Sequence, residues 1–437
     1  MSLETSIDSL FIQILATNPS GNMKIEAAAF IAMSLFCVFG FQDRGAATEW
    51  LQWRGPTGNG IAEASARPPL EWSETNNVRW KALIPGRGLS SPVVVGDLVM
   101  VTTATDDGQF ILAYSRADGS IRWKERLHSG GLPEKLHRKN SAATPTPASD
   151  GQHLYVAFHN AGKVMLSAMT LTGEVVWQKE TGPYECDYGY GYAPSPTVFG
   201  GSIIVSSEFT ADGFLAAFRT SDGGEIWRTE RRVKTSYSSP IVARVGKMDQ
   251  LLLSGADRVC SFDPGSGKLL WAVDGSSKAT CGTMVWSSDS VFASGGFPNK
   301  ETIAIHADGE PRVLWRNGDM SYEQSLLYHE GHLYAFNDGG IAVCWNALTG
   351  EERWKVRLGG PVSASPILAG GRIYAMNERG ITHVFLPNPD KFTKLAENQL
   401  GAEGFATPAF VDNLIFLRTA DASEERREWL YCLGEME

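Results

Sequence analysis

At 437 residues with 43% hydrophobic side chains, the chain has the make-up of a folded protein and is long enough for two or three ordinary domains. Its formal net charge of −10, with no basic run anywhere, argues against nucleic acid as a partner.

Residues 1–22 carry no clear pattern. Met23-Lys24, an apolar run of roughly 15 residues and then Gly45-Ala46-Ala47 form a basic start, a hydrophobic region and a small-x-small cleavage site. This predicts a secretory signal within residues 1–47, with Met23 as the natural start. The expected destination is periplasmic or secreted, with no transmembrane span in the mature chain, because the run is too short for a comfortable spanning helix. The other reading is a tail that anchors an otherwise soluble protein. Cys37 follows Phe36, where a lipoprotein signal needs a small residue. Residues 48–77 open with Trp50-Leu51-Gln52-Trp53-Arg54-Gly55-Pro56 and Gly58-Asn59-Gly60, which predicts an irregular segment whose tryptophans cover the edge of a core, a binding role for them being the other reading.

From residue 78 to the end, one pattern repeats. Its clearest copy, 193–231, reads as strands at 195–198, 203–207, 214–219 and 225–229. The turns between them are Gly200-Gly201, Asp212-Gly213 and Asp222-Gly223-Gly224. Apolar residues at every second position give each strand one core face. Endings of the form Gly-x-x-x-Trp recur at Trp123, Trp177, Trp227, Trp271 and Trp354, with a looser version at Trp315. From Trp123 onward these tryptophans lie 54, 50, 44, 44 and 39 residues apart. Openings of the form small–Ser/Thr–Pro recur at Ser91-Pro92, Thr144-Pro145, Ser195-Pro196, Ser239-Pro240, Ser365-Pro366 and Thr407-Pro408. All-strand self-similarity at this period indicates a propeller with one blade per repeat.

The expectation is an all-β, eight-bladed β-propeller of four-stranded antiparallel blades, occupying 78–437. The blades fall near 90–127, 142–181, 193–231, 238–275, 281–319, 325–358, 363–400 and 406–434. Blade eight lacks an outer strand, and Asn77-Val78-Arg79-Trp80-Lys81 is the expected donor, closing the ring and removing an open sheet edge. Blade seven is the weakest copy, with no tryptophan in 391–399. Beyond the signal region stand Cys186, Cys260, Cys281, Cys344 and Cys432, an odd, scattered set without Cys-x-x-Cys. These read as buried free thiols except for Cys186, which lies in an insert.

Segments that run from one blade's outer strand to the next blade's inner strand converge on one mouth of the channel. Candidate ligand-binding residues there are Arg87, Lys139, Asn140, Glu185, Tyr188, Tyr190, Tyr237 and Glu323. Aromatic rings beside cations could hold a planar, anionic or sugar-like ligand. Alternatively, the long loops plug the channel and satisfy one another. No nucleophile motif or metal-spaced histidine set is evident; His329-Glu330-Gly331-His332 lies across a strand turn.

The Gly-x-x-x-Trp endings, the Ser-Pro openings and Trp50-x-x-Trp53-Arg54-Gly55-Pro56 resemble the PQQ-like β-propeller repeat family, particularly its secreted planctomycete-type members, over residues 50–434. The resemblance implies blade tryptophans that dock between neighbouring blades, a role matched by Trp80, Trp123, Trp177, Trp227, Trp271, Trp315 and Trp354. It implies two functions. One is a non-catalytic scaffold of the BamB kind, with an envelope protein or a small polar ligand as partner. The other is a quinoprotein oxidoreductase acting on alcohols or sugars, with pyrroloquinoline quinone and calcium as cofactors. In that second case Arg87, Lys139 and Asn140 would address the quinone's carboxylates and carbonyls. The adjacent cysteine pair of the alcohol-dehydrogenase branch is absent, so the expectation is a scaffold with no catalytic residues and no metal site.

Overall fold

The computed structural model describes residues 49–423 and 425–436. The signal-region expectations for residues 1–47 therefore lie outside the described residues.

Strand-forming apolar runs separated by glycine turns produce eight four-stranded antiparallel sheets among the described residues. Blades one to seven span 93–128, 148–183, 197–230, 241–274, 285–317, 327–357 and 367–399. Blade eight takes three strands from 409–433, and the N-terminal strand Val78–Ile84 pairs antiparallel with Glu428–Leu433 as its outermost member. The eight-bladed ring and its closure by the Trp80 strand follow the reading of the repeats. In blade three the strands are Thr197–Phe199, Ser202–Ser207, Phe214–Arg219 and Glu225–Glu230, within two residues of expectation at each end.

The two middle strands of a blade lie between neighbouring blades, so both of their faces are buried. Ser202–Ser207 and Gly108–Ser115 are buried at every position. Outer strands alternate, as in Glu352–Arg357, because one face meets solvent. The core is consequently a ring of apolar layers. One layer joins Met100 and Ile111 of blade one to Leu154 and Phe158 of blade two, and the next joins Leu166 to Ile203 and Phe218.

Each blade tryptophan follows a one-residue bulge in the outer pair, as between Ala217 and Phe218 opposite Trp227. The bulge aims the indole at the next blade. Trp80 Nε1 donates to Arg116 O at 2.9 Å, Trp123 to Leu171 O at 2.8 Å, Trp177 to Thr220 O at 2.8 Å and Trp315 to Ala347 O at 2.9 Å. Trp271 differs. Its Nε1 donates to Gln250 Oε1 at 2.8 Å, and Gln250 Nε2 in turn donates to Ala307 O of the next blade at 2.9 Å. The following turn has two extra residues between Gly309 and Trp315, which moves Gly309 out of the indole's reach.

Blade seven carries Ala396 at the tryptophan position, opposite Val384. Trp72, from the N-terminal segment, fills the space. It is 5% exposed, stacks on Tyr374 with ring centroids 6.2 Å apart, and its backbone N–H donates to Asn398 Oδ1 at 3.0 Å.

The Ser/Thr of each blade opening forms a belt around the channel. Ser91 N donates to Thr146 Oγ1, Thr146 N to Ser195 Oγ and Ser195 N to Ser239 Oγ, at 2.9–3.0 Å. Across the ring, Thr283 N, Ser325 N and Ser365 N donate to Ser325, Ser365 and Thr407 in the same way, each at 2.9 Å. In blade two the belt residue is Thr146, before Pro147, and not the Thr144 expected from the sequence; Thr144 instead bonds Ser141 and Asn140 in the preceding loop.

Candidate functional site

The N-terminal segment crosses the channel at the end away from the loops. Trp50 exchanges backbone hydrogen bonds with Val94, Ser149 N donates to Leu51 O, and Ala62 N donates to Leu368 O. Trp50 is buried at a core edge, as expected. Trp53 is not: its indole N–H donates to Thr283 Oγ1 at 2.8 Å, and its ring forms part of the wall of a central cavity.

This cavity, about 270 Å³, lies between Trp53 and the mouth loops. The loops thus narrow the channel without filling it. Lys139, Asn140, Tyr190, Tyr237 and Glu323 line the cavity, joined by His137, Phe297 and Tyr322.

Three other candidates lie outside the lining. Arg87 is fixed by backbone pairing with Ala104, and its guanidinium donates to Arg138 O at 2.5 Å. Glu185 is exposed on the insert. Tyr188 stands behind Tyr190, their rings stacked at 6.1 Å, and meets Phe297 edge-on. Sequence order along a loop cannot say which side chains its turns swing inward.

Lys139 Nζ lies 3.1 Å from Glu323 Oε1 and 2.7 Å from Glu378 Oε1. Burial opposes the charge on Lys139, but hydrogen bonds and attraction from Glu378 and Glu323 outweigh it, and its pKa rests above the ordinary lysine value. Burial raises the Glu323 carboxyl pKa, despite Ser363 and Lys139 beside it. Ser363 Oγ lies 2.5 Å from Glu323 Oε2 and 2.8 Å from Glu378 Oε1. Burial and the neighbouring Arg138 and Lys139 lower the His137 pKa, which favours the neutral ring.

Asn140 is committed as well. Its Nδ2 donates to Tyr190 O at 2.8 Å, and its Oδ1 accepts from Ser141 N at 2.8 Å. Tyr190 packs at 5.0 Å from His137 and 6.3 Å from Tyr237. Cys186 Sγ accepts from Tyr190 N at 3.2 Å and lies 3.3 Å from Tyr237 OH. Burial would raise the Cys186 pKa, but the hydrogen bonds from Tyr237 and the loop backbone bring it below the usual thiol value. Cys281, deeper in the wall, is pushed well up by burial.

Glu378 and Ser363 were missed from sequence. A signal was present: Asn337-Asp338-Gly339-Gly340 and Asn377-Glu378-Arg379-Gly380 occupy the turn between the second and third strands in consecutive blades. That turn shares the mouth face with the inter-blade loops. Among the described residues, no three His, Cys, Asp or Glu side chains converge as a metal site would require.

A closed ring of eight bulged blades, seven of them docked by a tryptophan, around an axial cavity defines the PQQ-like β-propeller class. The chain belongs to the family described as "Outer membrane protein assembly factor BamB", whose model matches residues 70–185, 166–312 and 299–385. BamB of Burkholderia pseudomallei (strain K96243) is 28% identical over 199 residues, covering 45% of this chain and 47% of that protein. BamB of Yersinia pestis is 23% identical over 199 residues, 45% of each. The chain thus spans about half the length of the curated relatives it matches. Among solved structures, BamB from Moraxella catarrhalis superposes with TM-score 0.58 at 15% identity, covering 80% of this chain and 98% of that one. The quinohemoprotein alcohol dehydrogenase from Comamonas testosteroni superposes with TM-score 0.63 at 13% identity, covering 90% and 82%. At such identities these two structures establish the fold alone. No helix among the described residues is long and apolar enough to cross a membrane.

Proposed function

We propose that this chain is a non-catalytic binding scaffold of the bacterial envelope, periplasmic or secreted, that engages an envelope protein, a reading supported by its relatives' name, outer membrane protein assembly factor. The carrying observation is the family match across 70–385, read together with a mouth whose polar groups are bonded to one another. The outer strands support the same reading. Ile121, Val176, Ile226 and Leu269 leave 45–53% of their surface exposed beside sheet edges that an added strand could pair with.

The quinoprotein alternative needs residues for a tricarboxylate cofactor, and those present do not fit it. Lys139 is held by two carboxylates, Arg87 stands outside the cavity and Asn140 is bonded to the loop. The test places photo-crosslinking residues at Val176 and Ile226 of the full chain, expressed in the envelope of its own host. Crosslinks to a protein of outer-membrane assembly are expected. Dye reduction with an alcohol or sugar by the purified chain plus pyrroloquinoline quinone and calcium would overturn the reading.

A further inference from the structure

We infer that the axial cavity binds a small organic ammonium ion, held between aromatic ring faces and the Glu323 carboxylate. This goes beyond the scaffold reading and does not depend on it, since the cavity and the outer strands are separate surfaces.

Three observations carry it. The first is the wall. Trp53, Tyr190, Tyr237, Phe297 and Tyr322 all line one cavity of about 270 Å³. The faces of such rings carry negative potential and attract ammonium groups, most strongly where water is excluded. Tyr190 is 38% exposed at the entrance, so the aromatic surface can be reached from solvent.

The second is the charge. Lys139 and Glu323 are the charged side chains of the lining, and Glu378 lies directly behind them. Two carboxylates therefore share one ammonium. Ser363 faces both of them with one hydroxyl proton, so it can donate to only one at a time. The cluster is one positive charge short, and a second cation beside Glu323 would complete it.

The third is what the mouth does not offer. Arg87 and Arg138 are outside the lining, Lys139 is already paired, and burial with two neighbouring cations disfavours a charge on His137. An anion would enter beside two carboxylates with no free cation to meet it, which is strongly unfavourable in a buried site. Lys139, the one cation from the sequence reading that lines the cavity, is paired with carboxylates from two other parts of the ring, and Arg87 donates to a backbone carbonyl outside it.

The test is calorimetric titration of the purified full chain with choline, glucose and pyrroloquinoline quinone at low ionic strength. Saturable choline binding without glucose or quinone binding is expected. Glu323→Gln and Tyr190→Ala should each weaken choline binding by about tenfold. Lys139→Gln should strengthen it, since the cluster then lacks two positive charges; a merely structural lysine would not produce that gain. Circular dichroism and melting of each variant separate misfolding from lost binding. The inference is overturned if choline does not bind, if glucose or the quinone binds in its place, or if folded Glu323→Gln and Tyr190→Ala both keep wild-type choline affinity.

Discussion

A Cβ built on Gly173 would stand 2.9 Å from the indole of Trp123, which lies flat against that turn. Gly119 meets Trp80 in the same way, with 2.6 Å to the ring, and Gly223 meets Trp177 at 2.8 Å. The glycine and the tryptophan of the Gly-x-x-x-Trp ending thus serve different neighbours. The tryptophan reaches forward to the next blade, and the glycine receives the tryptophan of the blade before. One repeat cannot form this contact alone, so the ending specifies an array.

Gly173→Ala should lower the melting temperature far more than Gly309→Ala. Both residues have positive φ, +95° and +90°, but nothing lies within 4 Å of a Cβ on Gly309. Alanine at 309 costs about 1–2 kcal/mol of backbone strain. At 173 the displaced indole adds roughly 1–3 kcal/mol. Equal melting temperatures for the two variants would mean that the Trp123 contact contributes nothing.

Trp72→Ala should cost about 3–5 kcal/mol, comparable to losing a blade tryptophan, while Trp72→Phe costs less. Trp72 supplies the aromatic bulk that Ala396 leaves out of blade seven. Hydrogen exchange should show the loss concentrated in the strand Lys394–Gln399, whose Asn398 accepts the Trp72 amide. Uniform loss of protection would instead indicate that the residue serves the whole ring.

The repeats were legible because their spacing, turns and alternation are local, and ring closure follows from one orphan ending at Trp80. The cavity was only half legible. Lys139, Tyr190, Tyr237 and Glu323 lie on inter-blade loops whose direction the repeat dictates. Glu378 lies 239 residues beyond Lys139 in a strand turn, and only the closed ring brings the two within 2.7 Å. Trp50 and Trp53 look alike in the sequence, where large aromatics in an irregular segment most often cover a core edge, yet Trp50 does so and Trp53 lines the cavity. Whether an irregular segment points an indole at a core or at a cavity depends on the path the chain takes across the channel, and no periodicity encodes that path.

Glu428→Ala should be among the most destabilising single changes. Arg418 and Glu428, side chains 3% and 2% exposed, form a buried ion pair in blade eight; Arg418 Nη1 also donates to Thr102 O of blade one at 2.9 Å. Removing the carboxylate leaves Arg418 buried without its counter-charge, at a cost of about 3–5 kcal/mol. Replacing both residues by methionine should cost less than Glu428→Ala alone. A double variant as unstable as the single one would show that shape, not charge, holds this junction.

Stability should fall as the medium is acidified from pH 7.5 to 5, in part through His159. Its two ring nitrogens are shielded from water without a hydrogen-bond partner, and its ring meets Tyr184 edge-on at 5.0 Å. Burial lowers its pKa below the ordinary value of 6.5. Between the lowered folded value and 6.5 the unfolded chain binds more protons than the folded one. The stabilisation is therefore complete above about pH 6.5 and is lost as pH falls through the folded pKa. His128, also lowered by burial, adds to the same slope. His159→Phe keeps the ring and removes the proton site. Its melting temperature at pH 5 should fall less, relative to pH 7.5, than that of the wild type. An unchanged slope would place the acid sensitivity in other groups and remove His159 from the account.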